Sequence, residues 1–312
     1  MENILIISPQ AGYGNRIRSI CSAMLIARQT NRTLYLLWST QEDENSFTKD
    51  FMQMKSRDWS SYFKPNNNLL EINSSSTDLR CNYIFSEWLP NNKQWYPRQS
   101  GGQKFFLDKN PLIPLLPISK NEKCLCSPIH TILIETSKRI VLDPKYGGCG
   151  DQLEFDKEMS KIYQMNFIPQ DKYIAYMREI PEYNIGISIR RASFELYFND
   201  KCTSKSRIII WILSLLSKTI KSNNPTIIIF SDDHQFRDEI IYTLIAKFKI
   251  KSNYLPKLPI NEEIPLEKWE VAFLEFLTLS WKCQKIYGTQ QSSFAEEAGI
   301  FGGKFHYNCI DC

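Results

Sequence analysis

The sequence predicts an α/β protein built from two doubly wound domains, and three stretches carry that prediction. Residues 3–38 read as strand, helix and strand. After Asn184, apolar strands and helices alternate regularly, which is typical of a parallel sheet with right-handed crossovers. Near the C-terminus, strand Lys285–Gly288 runs into a helix that opens at Ser292, as in phosphate-binding α/β domains. We place the two domains at residues 1–180 and 181–312.

The composition is that of a folded protein with a mild positive charge. The 312 residues are 43% hydrophobic and 13% aromatic, which is ample for a packed core. The net charge of +4 suits a small anionic ligand but is too weak and dispersed for nucleic acid. We find no signal peptide and no apolar run of the roughly 18 residues that would span a bilayer. We therefore expect a cytoplasmic protein without a membrane span.

The nine cysteines do not form a recognisable framework. Their number is odd and no signal peptide accompanies them, which argues against structural disulfides. The pairs Cys124/Cys126 and Cys309/Cys312 have spacings that zinc ligands use, but neither pair has a well-spaced partner pair. We expect free thiols and no metal site.

The N-terminal half opens as a βαβ unit. Strand 3–8 leads through the glycine-containing turn Pro9–Arg16 into a helix that starts at Ile17, and strand Thr33–Trp38 follows. The turn lacks the third glycine of the dinucleotide fingerprint, and no acidic residue ends the second strand, so a nicotinamide oxidoreductase is disfavoured. Beyond an acidic loop the pattern becomes irregular. The further elements predicted there are strands Tyr83–Phe85, Lys104–Leu107 and Thr131–Glu135 and helices Gln152–Gln164 and Gln170–Arg178.

The C-terminal half is a regular succession of strands and helices. The predicted strands are Ile185–Ile189, Thr226–Phe230, Lys285–Gly288 and, less regular, Lys249–Tyr254. The predicted helices are Ser204–Lys221, Gln235–Phe248, Leu266–Lys282 and Ser292–Phe301. Because parallel strands end at the same edge of a sheet, the residues after these strands should meet there.

Three polar segments follow those strands. They are Arg190-Arg191, Ser231-Asp232-Asp233 and Ser292-Ser293-Phe294. A guanidinium, a carboxylate pair and a helix N-terminus together suit a nucleotide diphosphate sugar. Two plainer interpretations stay open: the arginines could pair with the aspartates between neighbouring strands, and the serines could be an ordinary helix cap.

Four motifs in this order resemble the GDP-fucose fucosyltransferase superfamily, which includes α1,2-, α1,6- and protein O-fucosyltransferases and the nodulation fucosyltransferase. They are Gly12-x-Gly14-Asn15-Arg16, Ile189-Arg190-Arg191, Phe230-Ser231-Asp232-Asp233 and Gly288-x-x-x-Ser292-Ser293-Phe294. The resemblance covers most of residues 3–55 and 185–303. It implies a GT-B-type fold with two Rossmann-like domains facing a cleft. It also implies inverting, metal-independent transfer of L-fucose from GDP-fucose to a glycan or glycoprotein acceptor, with no cofactor.

Site residues carry over from the resemblance by position. Arg190 would stabilise the leaving diphosphate, and Asn15 would border the sugar, so both are candidates for catalysis. The donor-binding candidates are Gly12, Gly14, Arg190, Arg191, Asp232, Asp233, Gln291, Ser292, Ser293 and Phe294. The acceptor-side candidates are Trp38, Glu42, Asp43 and Glu44, because their loop should face the acceptor.

The sequence also departs from the family pattern. Where the family has His-x-Arg-Arg-x-Asp, this chain has Ser188 and Ser193 around its arginines, and Cys283 or Gln284 replaces an aspartate found before the serine turn in some members. A different nucleotide sugar, or a sugar-nucleotide-binding protein without catalysis, is therefore the alternative.

Overall fold

The computed structural model divides the chain into two compact units, Met1–Gln170 (unit 1) and Asp171–Cys312 (unit 2). It describes residues 3–9, 13–38, 59–71, 83–86, 131–136, 139–140, 149, 151–190, 204–219, 226–248, 268–289, 292–304 and 308–310. Each unit contains a parallel β-sheet with helices, which confirms the predicted mixed α/β class. The domain division at residue 180 stays a prediction.

The sheet of unit 1 has five parallel strands in the order β3-β2-β1-β5-β4. They are β1 (Ile4–Pro9), β2 (Thr33–Leu36), β3 (Leu70–Glu71), β4 (Tyr83–Ser86) and β5 (Thr131–Thr136). Strand β1 is central, and Leu5, Ile6 and Ile7 are fully buried. Such a continuous apolar run is what a strand covered on both faces requires. The two-residue strand β3 was not predicted, because so short a segment leaves no periodic signal.

Helix α1 (Tyr13–Gln29) packs against this sheet and against helix α2 (Gln152–Asn166). Its C-terminus is closed by Asn31, whose φ of 50° lies in the left-handed region that asparagine tolerates. The N–H of Arg32 donates to the carbonyl of Ala27 at 2.8 Å, the long-range bond of a Schellman end. The chain can therefore turn directly into β2.

The start of α1 differs from the predicted turn Pro9–Arg16. The helix begins at Tyr13, so Gly14, Asn15 and Arg16 lie in its first turn. A glycine costs little there, because its entropic penalty applies mainly to the interior of a helix. The buried ring of Tyr13 also packs edge-on against Tyr62, with 5.9 Å between ring centroids, which anchors the early start.

The sheet of unit 2 has four parallel strands in the order β7-β6-β8-β9. They are β6 (Tyr183–Ile189), β7 (Ile227–Ser231), β8 (Cys283–Thr289) and β9 (Asn308–Ile310). Opposite residues at the carboxyl ends include Ile189 beside Ser231 and Ser188 beside Gly288. The chain segments that follow β6, β7 and β8 consequently leave the same edge of the sheet. Strand β9 was not predicted.

Five α-helices belong to the described part of unit 2. They are α3 (Asp171–Glu179), α4 (Lys205–Thr219), α5 (His234–Phe248), α6 (Lys268–Leu277) and α7 (Ser293–Phe301). Residues four apart on α4 and α5 point into one core with the isoleucines of β6 and β7. These core residues include Ile208, Ile212, Leu216, Phe236, Ile240 and Leu244. The apolar residues whose spacing predicted these two helices are thus the residues that lie in the core.

A π-helical turn, Thr278–Lys282, separates α6 from β8, where the sequence predicted a continuous α-helix as far as Lys282. The Nζ of Lys304 donates to the carbonyl oxygens of Leu279 and Ser280 in this turn. Helix α7 lies so close to the same turn that a Cβ at Gly302 would overlap the carbonyl of Ser280. These tertiary contacts satisfy carbonyls that the irregular turn exposes, and local sequence does not encode them.

The predicted strands Lys104–Leu107 and Lys249–Tyr254 lie outside the described residues. Within the described ranges, no helix is both long and apolar enough to cross a lipid bilayer.

Gly186 allows β6 and β8 to approach each other, and its replacement tests this packing. A Cβ there would lie 2.5 Å from the Sγ of Cys283 and 2.7 Å from Cδ2 of Leu279. We expect Gly186→Ala to lower the free energy of unfolding by about 1–3 kcal/mol in chemical denaturation. In a Cys283→Ala background the added loss should be smaller, because the nearest atom is gone. Equal losses in both backgrounds would show that overlap with the Sγ of Cys283 does not cause the loss of stability.

Candidate functional site

Three predicted site segments meet at the carboxyl edge of the unit 2 sheet. Arg190 follows β6, Asp232 follows β7, and the residues after β8 lead into α7 at Ser292. The backbone N–H of Arg190 donates to Oγ1 of Thr289 at 3.1 Å, which ties the end of β6 to the end of β8. Parallel pairing therefore brings together residues that are about a hundred positions apart in sequence.

The side chain of Arg190 lies between a carboxylate and an aromatic ring. Its Nη1 is 3.9 Å from Oδ2 of Asp232, and its Cζ is 5.5 Å from the centroid of the Phe294 ring. The side chain is 36% exposed. The ion pair anticipated from the sequence is therefore present, but its length exceeds that of a hydrogen bond. Arg191 lies outside the described residues.

The two adjacent aspartates have separate environments. Oδ1 of Asp233 accepts the backbone N–H of Phe236 at 2.9 Å, the bond of an N-cap at the start of α5. The N–H of Asp233 itself donates to Oγ of Ser231 at 3.1 Å. Asp232 faces Arg190 instead. Of the pair, Asp232 is thus the carboxylate next to the guanidinium, and Asp233 holds the helix start.

The N-terminus of α7 opens at Ser292, whose N–H donates to the carbonyl of Thr289 at 3.1 Å. The Ser292 side chain is only 4% exposed and makes no hydrogen bond to cap the helix. In the described part of the chain, its hydroxyl has no hydrogen-bond partner at all. A buried hydroxyl is costly when unpaired, so this position favours an incoming acceptor oxygen.

The first turn of α7 adds backbone donors to that hydroxyl. The N–H groups of Ser293 and Phe294 precede the first intrahelical bond of the helix, in which the N–H of Glu296 donates to Ser292 at 3.4 Å. These groups and the helix dipole attract anionic oxygens. The arrangement can therefore hold a phosphate between α7 and Arg190. Gln291 lies outside the described residues.

Glu275 on α6 is a residue that sequence reasoning missed. Burial raises the pKa of its carboxyl to about 7, the charges of Arg190 and Arg237 lower it in part, and Asp232 raises it. The side chain lies between the fully buried neighbours Leu274 and Phe276 and is itself partly exposed. A lone acidic residue within the apolar run Phe273–Leu279 was the signal that could have found it.

The sugar-side candidate Asn15 and the acceptor-side candidate Trp38 both lie in unit 1. Asn15 is in the first turn of α1, where its carbonyl accepts the hydroxyl of Ser19 at 2.8 Å, and Gly14 is buried in the same turn. Trp38 follows β2 and lies under the guanidinium of Arg16, with 5.0 Å from Cζ to the ring centroid. Burial lowers the pKa of Arg16 to about 10, opposed by the charge of Tyr62, so Arg16 stays cationic at neutral pH.

The remaining predictions concern residues outside the described ranges and metal binding. Gly12 and the acidic trio Glu42, Asp43 and Glu44 lie outside the described residues. Among the residues that are described, no group of three or more His, Cys, Asp or Glu side chains is placed to hold a metal ion.

Comparison with solved structures shows which proteins share this fold. A variant of FUT1 from Arabidopsis thaliana in complex with GDP matches 97% of this chain and 69% of its own, with a TM-score of 0.56 and 13% identity. Fucosyltransferase NodZ from Bradyrhizobium matches 96% of this chain and 93% of its own, with a TM-score of 0.54 and 17% identity. POFUT1 in complex with GDP matches 99% of this chain and 97% of its own, with a TM-score of 0.53 and 11% identity. The chain has the fold of the fucosyltransferases.

The likeness is carried by structure rather than by sequence. No protein-family model matches the chain, and no curated protein matches it by sequence. The resemblance expected from the four short motifs is nevertheless confirmed, because the structural matches to fucosyltransferases extend over nearly the whole chain. At 11–17% identity a shared fold is what these matches establish.

The raised pKa of Glu275 predicts a pH-dependent contribution to stability. The folded state keeps a proton on this carboxyl between its ordinary pKa and about 7, so stability falls as pH rises through that window. The free energy of unfolding of Glu275→Gln, relative to that of the wild type, should be about 1–2 kcal/mol higher at pH 8 than at pH 5. Part of the side chain reaches solvent, which keeps this figure below the full shift. Urea denaturation at both pH values measures it, and a pH-independent difference would contradict the assignment.

Proposed function

We propose that the protein is a glycosyltransferase that transfers L-fucose from GDP-fucose to a glycan or protein acceptor with inversion at the sugar carbon. The observation that carries the proposal is the pairing of Arg190 with a helix N-terminus whose cap hydroxyl, Ser292, is buried without a partner. The fold supports it, since structural neighbours with this fold were solved with GDP or GDP-fucose.

The donor diphosphate would be held from two directions. Arg190 offers a planar pair of N–H donors that match phosphate oxygens, and such charge-assisted bonds are the stronger kind. The amides of Ser293 and Phe294 and the Ser292 hydroxyl would donate to the remaining oxygens. Asp232 lies 3.9 Å from Arg190, far enough to orient the guanidinium without occupying its donors.

The reaction that follows from this binding is a single displacement. The acceptor oxygen forms a bond to the anomeric carbon from the face opposite the diphosphate, while the bond from that carbon to the phosphate oxygen breaks with its electron pair. Negative charge then grows on the departing phosphate, and Arg190 and α7 are placed to stabilise it. The acceptor proton passes to a base, for which Glu42, Asp43 and Glu44 are the candidates.

We further propose a GT-B-type fold in which unit 2 binds the donor, Asn15 of unit 1 borders the sugar, and Trp38 of unit 1 belongs to the acceptor side. Two separate parallel sheets and the fucosyltransferase fold support it. The cation of Arg16 over Trp38 keeps that ring in place at the end of β2.

A sugar-nucleotide-binding protein without catalysis, or an enzyme for another nucleotide sugar, is the second candidate. The observation that favours it is Ser188, a buried serine where the family pattern has histidine. Thermal-shift measurements with GDP, UDP, ADP and their sugars identify the nucleotide, since a ligand at about a hundred times its Kd stabilises by roughly 2.7 kcal/mol. Transfer of label from the bound donor then separates the enzyme from the binding protein.

Activity should survive chelation by EDTA. Arg190 and the N-terminus of α7 would supply the positive potential that a divalent ion supplies to a diphosphate in other enzymes. Turnover measured with and without EDTA, after exchange into metal-free buffer, is expected to be the same. Strict dependence on added manganese or magnesium would count against the proposal.

Substitution of Arg190 tests the diphosphate clamp. Arg190→Ala removes a group that stabilises the leaving phosphate, and we expect turnover to fall by about 10²–10³-fold. Arg190→Lys should restore little, because an ammonium cannot reproduce the planar two-pronged geometry.

The ion pair with Asp232 gives the control for that test. If Arg190 only links neighbouring strands, Arg190→Ala would lower the melting temperature of the free protein and leave the GDP-induced shift intact. The clamp predicts the opposite pattern: little change in the free protein, because a partly exposed pair contributes about 0–1 kcal/mol, and a much smaller GDP shift.

A further inference from the structure

We propose that the aromatic ring of Phe294 is a positioning element that holds the guanidinium of Arg190 ready for the donor diphosphate. This role belongs to the side chain and is separate from that of the Phe294 backbone amide. It rests on the proposed function in one respect only, namely that the anion held by Arg190 is a nucleotide diphosphate.

The geometry is that of a cation over a ring. Cζ of Arg190 lies 5.5 Å from the Phe294 centroid, inside the roughly 6 Å at which such pairs attract. The ring is 6% exposed, whereas the Arg190 side chain is 36% exposed. The ring is therefore buried, while the Arg190 side chain beside it is partly open to solvent.

The guanidinium also lies near the carboxyl groups of Asp232 and Glu275, but no hydrogen bond to a described residue fixes its direction. The distance of 3.9 Å to Asp232 attracts charge but is too long for a hydrogen bond. The backbone of Arg190 is held by Thr289 at 3.1 Å, which determines where the side chain starts. The ring of Phe294 determines where it ends. A long side chain that is restrained at both ends loses less entropy when it binds an anion.

The ring can act in this way because it is itself held firmly. Phe276 packs edge-on against Phe294, with centroids 5.6 Å apart, and also against Phe301 at 5.3 Å. The other end of α7 is locked where Gly302 meets the carbonyl of Ser280. Phe294 therefore has little freedom to follow Arg190, and the guanidinium must adapt to the ring.

Phe301 provides a matched control. It lies on the same helix, is similarly buried at 4% against 6% for Phe294, and packs against the same ring of Phe276. Its described ring contacts are with Phe276 and Trp281, and none is with Arg190. Phe301→Leu thus removes comparable apolar packing without touching the cation.

The first measurement needs no nucleotide. A proton near the face of an aromatic ring resonates upfield, so the Arg190 Nε–H signal in a ¹⁵N-correlated NMR spectrum should move downfield in Phe294→Leu. It should stay in place in Phe301→Leu. Absence of the signal in Arg190→Lys assigns it. An Arg190 signal that is unmoved in Phe294→Leu would overturn the inference.

The second measurement is a double-mutant cycle on GDP affinity. Phe294→Leu should weaken GDP binding by about 3- to 10-fold when Arg190 is present. In the Arg190→Ala background the same substitution should change GDP affinity less than about twofold, since the group it positions is gone. Equal losses in both backgrounds, or the same loss in Phe301→Leu, would overturn the inference by showing a merely structural effect.

The two measurements keep this inference distinct from the proposed function. If the folded wild type shows no binding of GDP or of the other nucleotides tested, the proposed function fails, while the NMR comparison still decides whether the ring positions the arginine. If GDP binds and Phe294→Leu behaves like Phe301→Leu in both measurements, the proposed function stands and the role of the ring is wrong.

Discussion

Strand β6 pairs in parallel with β7 on one side and with β8 on the other, and the candidate site depends on that register. It places Ile189 beside Ser231 and Ser188 beside Gly288, so the chain leaves all three strands at one edge. The close approach of β8 at Gly186 and the bond from Arg190 to Thr289 maintain this alignment. A shift of one residue would turn the arginine to the other face of the sheet and separate it from α7.

Charged and polar side chains are only loosely paired at this edge of the sheet. Asp232 offsets Arg190 only at 3.9 Å, and Glu275 holds a proton up to about pH 7 because burial disfavours its charge. The hydroxyl of Ser292 is buried without a partner in the described part of the chain. The buried, unpaired hydroxyl of Ser292 costs stability in the free protein, and the phosphate of the proposed donor would relieve that cost.

An arginine over an aromatic ring occurs in both units. Arg16 lies 5.0 Å from the Trp38 centroid in unit 1, and Arg190 lies 5.5 Å from that of Phe294 in unit 2. Trp38 lies two residues after β2 and Arg190 directly after β6, at the ends of parallel strands, where open α/β sheets bind ligands. Rings of this kind restrict a flexible cation without consuming its hydrogen-bond donors.

Sequence patterns alone predicted the α/β class, most of the helices and strands, and the three polar segments after β6, β7 and β8, because apolar periodicity and the residues that end an element are local properties. Only the tertiary structure distinguished Asp232 from Asp233, since one caps α5 and the other faces Arg190. Glu275 and the ring of Phe294 also escaped sequence reasoning. Their roles depend on burial and on the direction of a side chain, and both are decided by tertiary packing, as where α7 meets the end of β6.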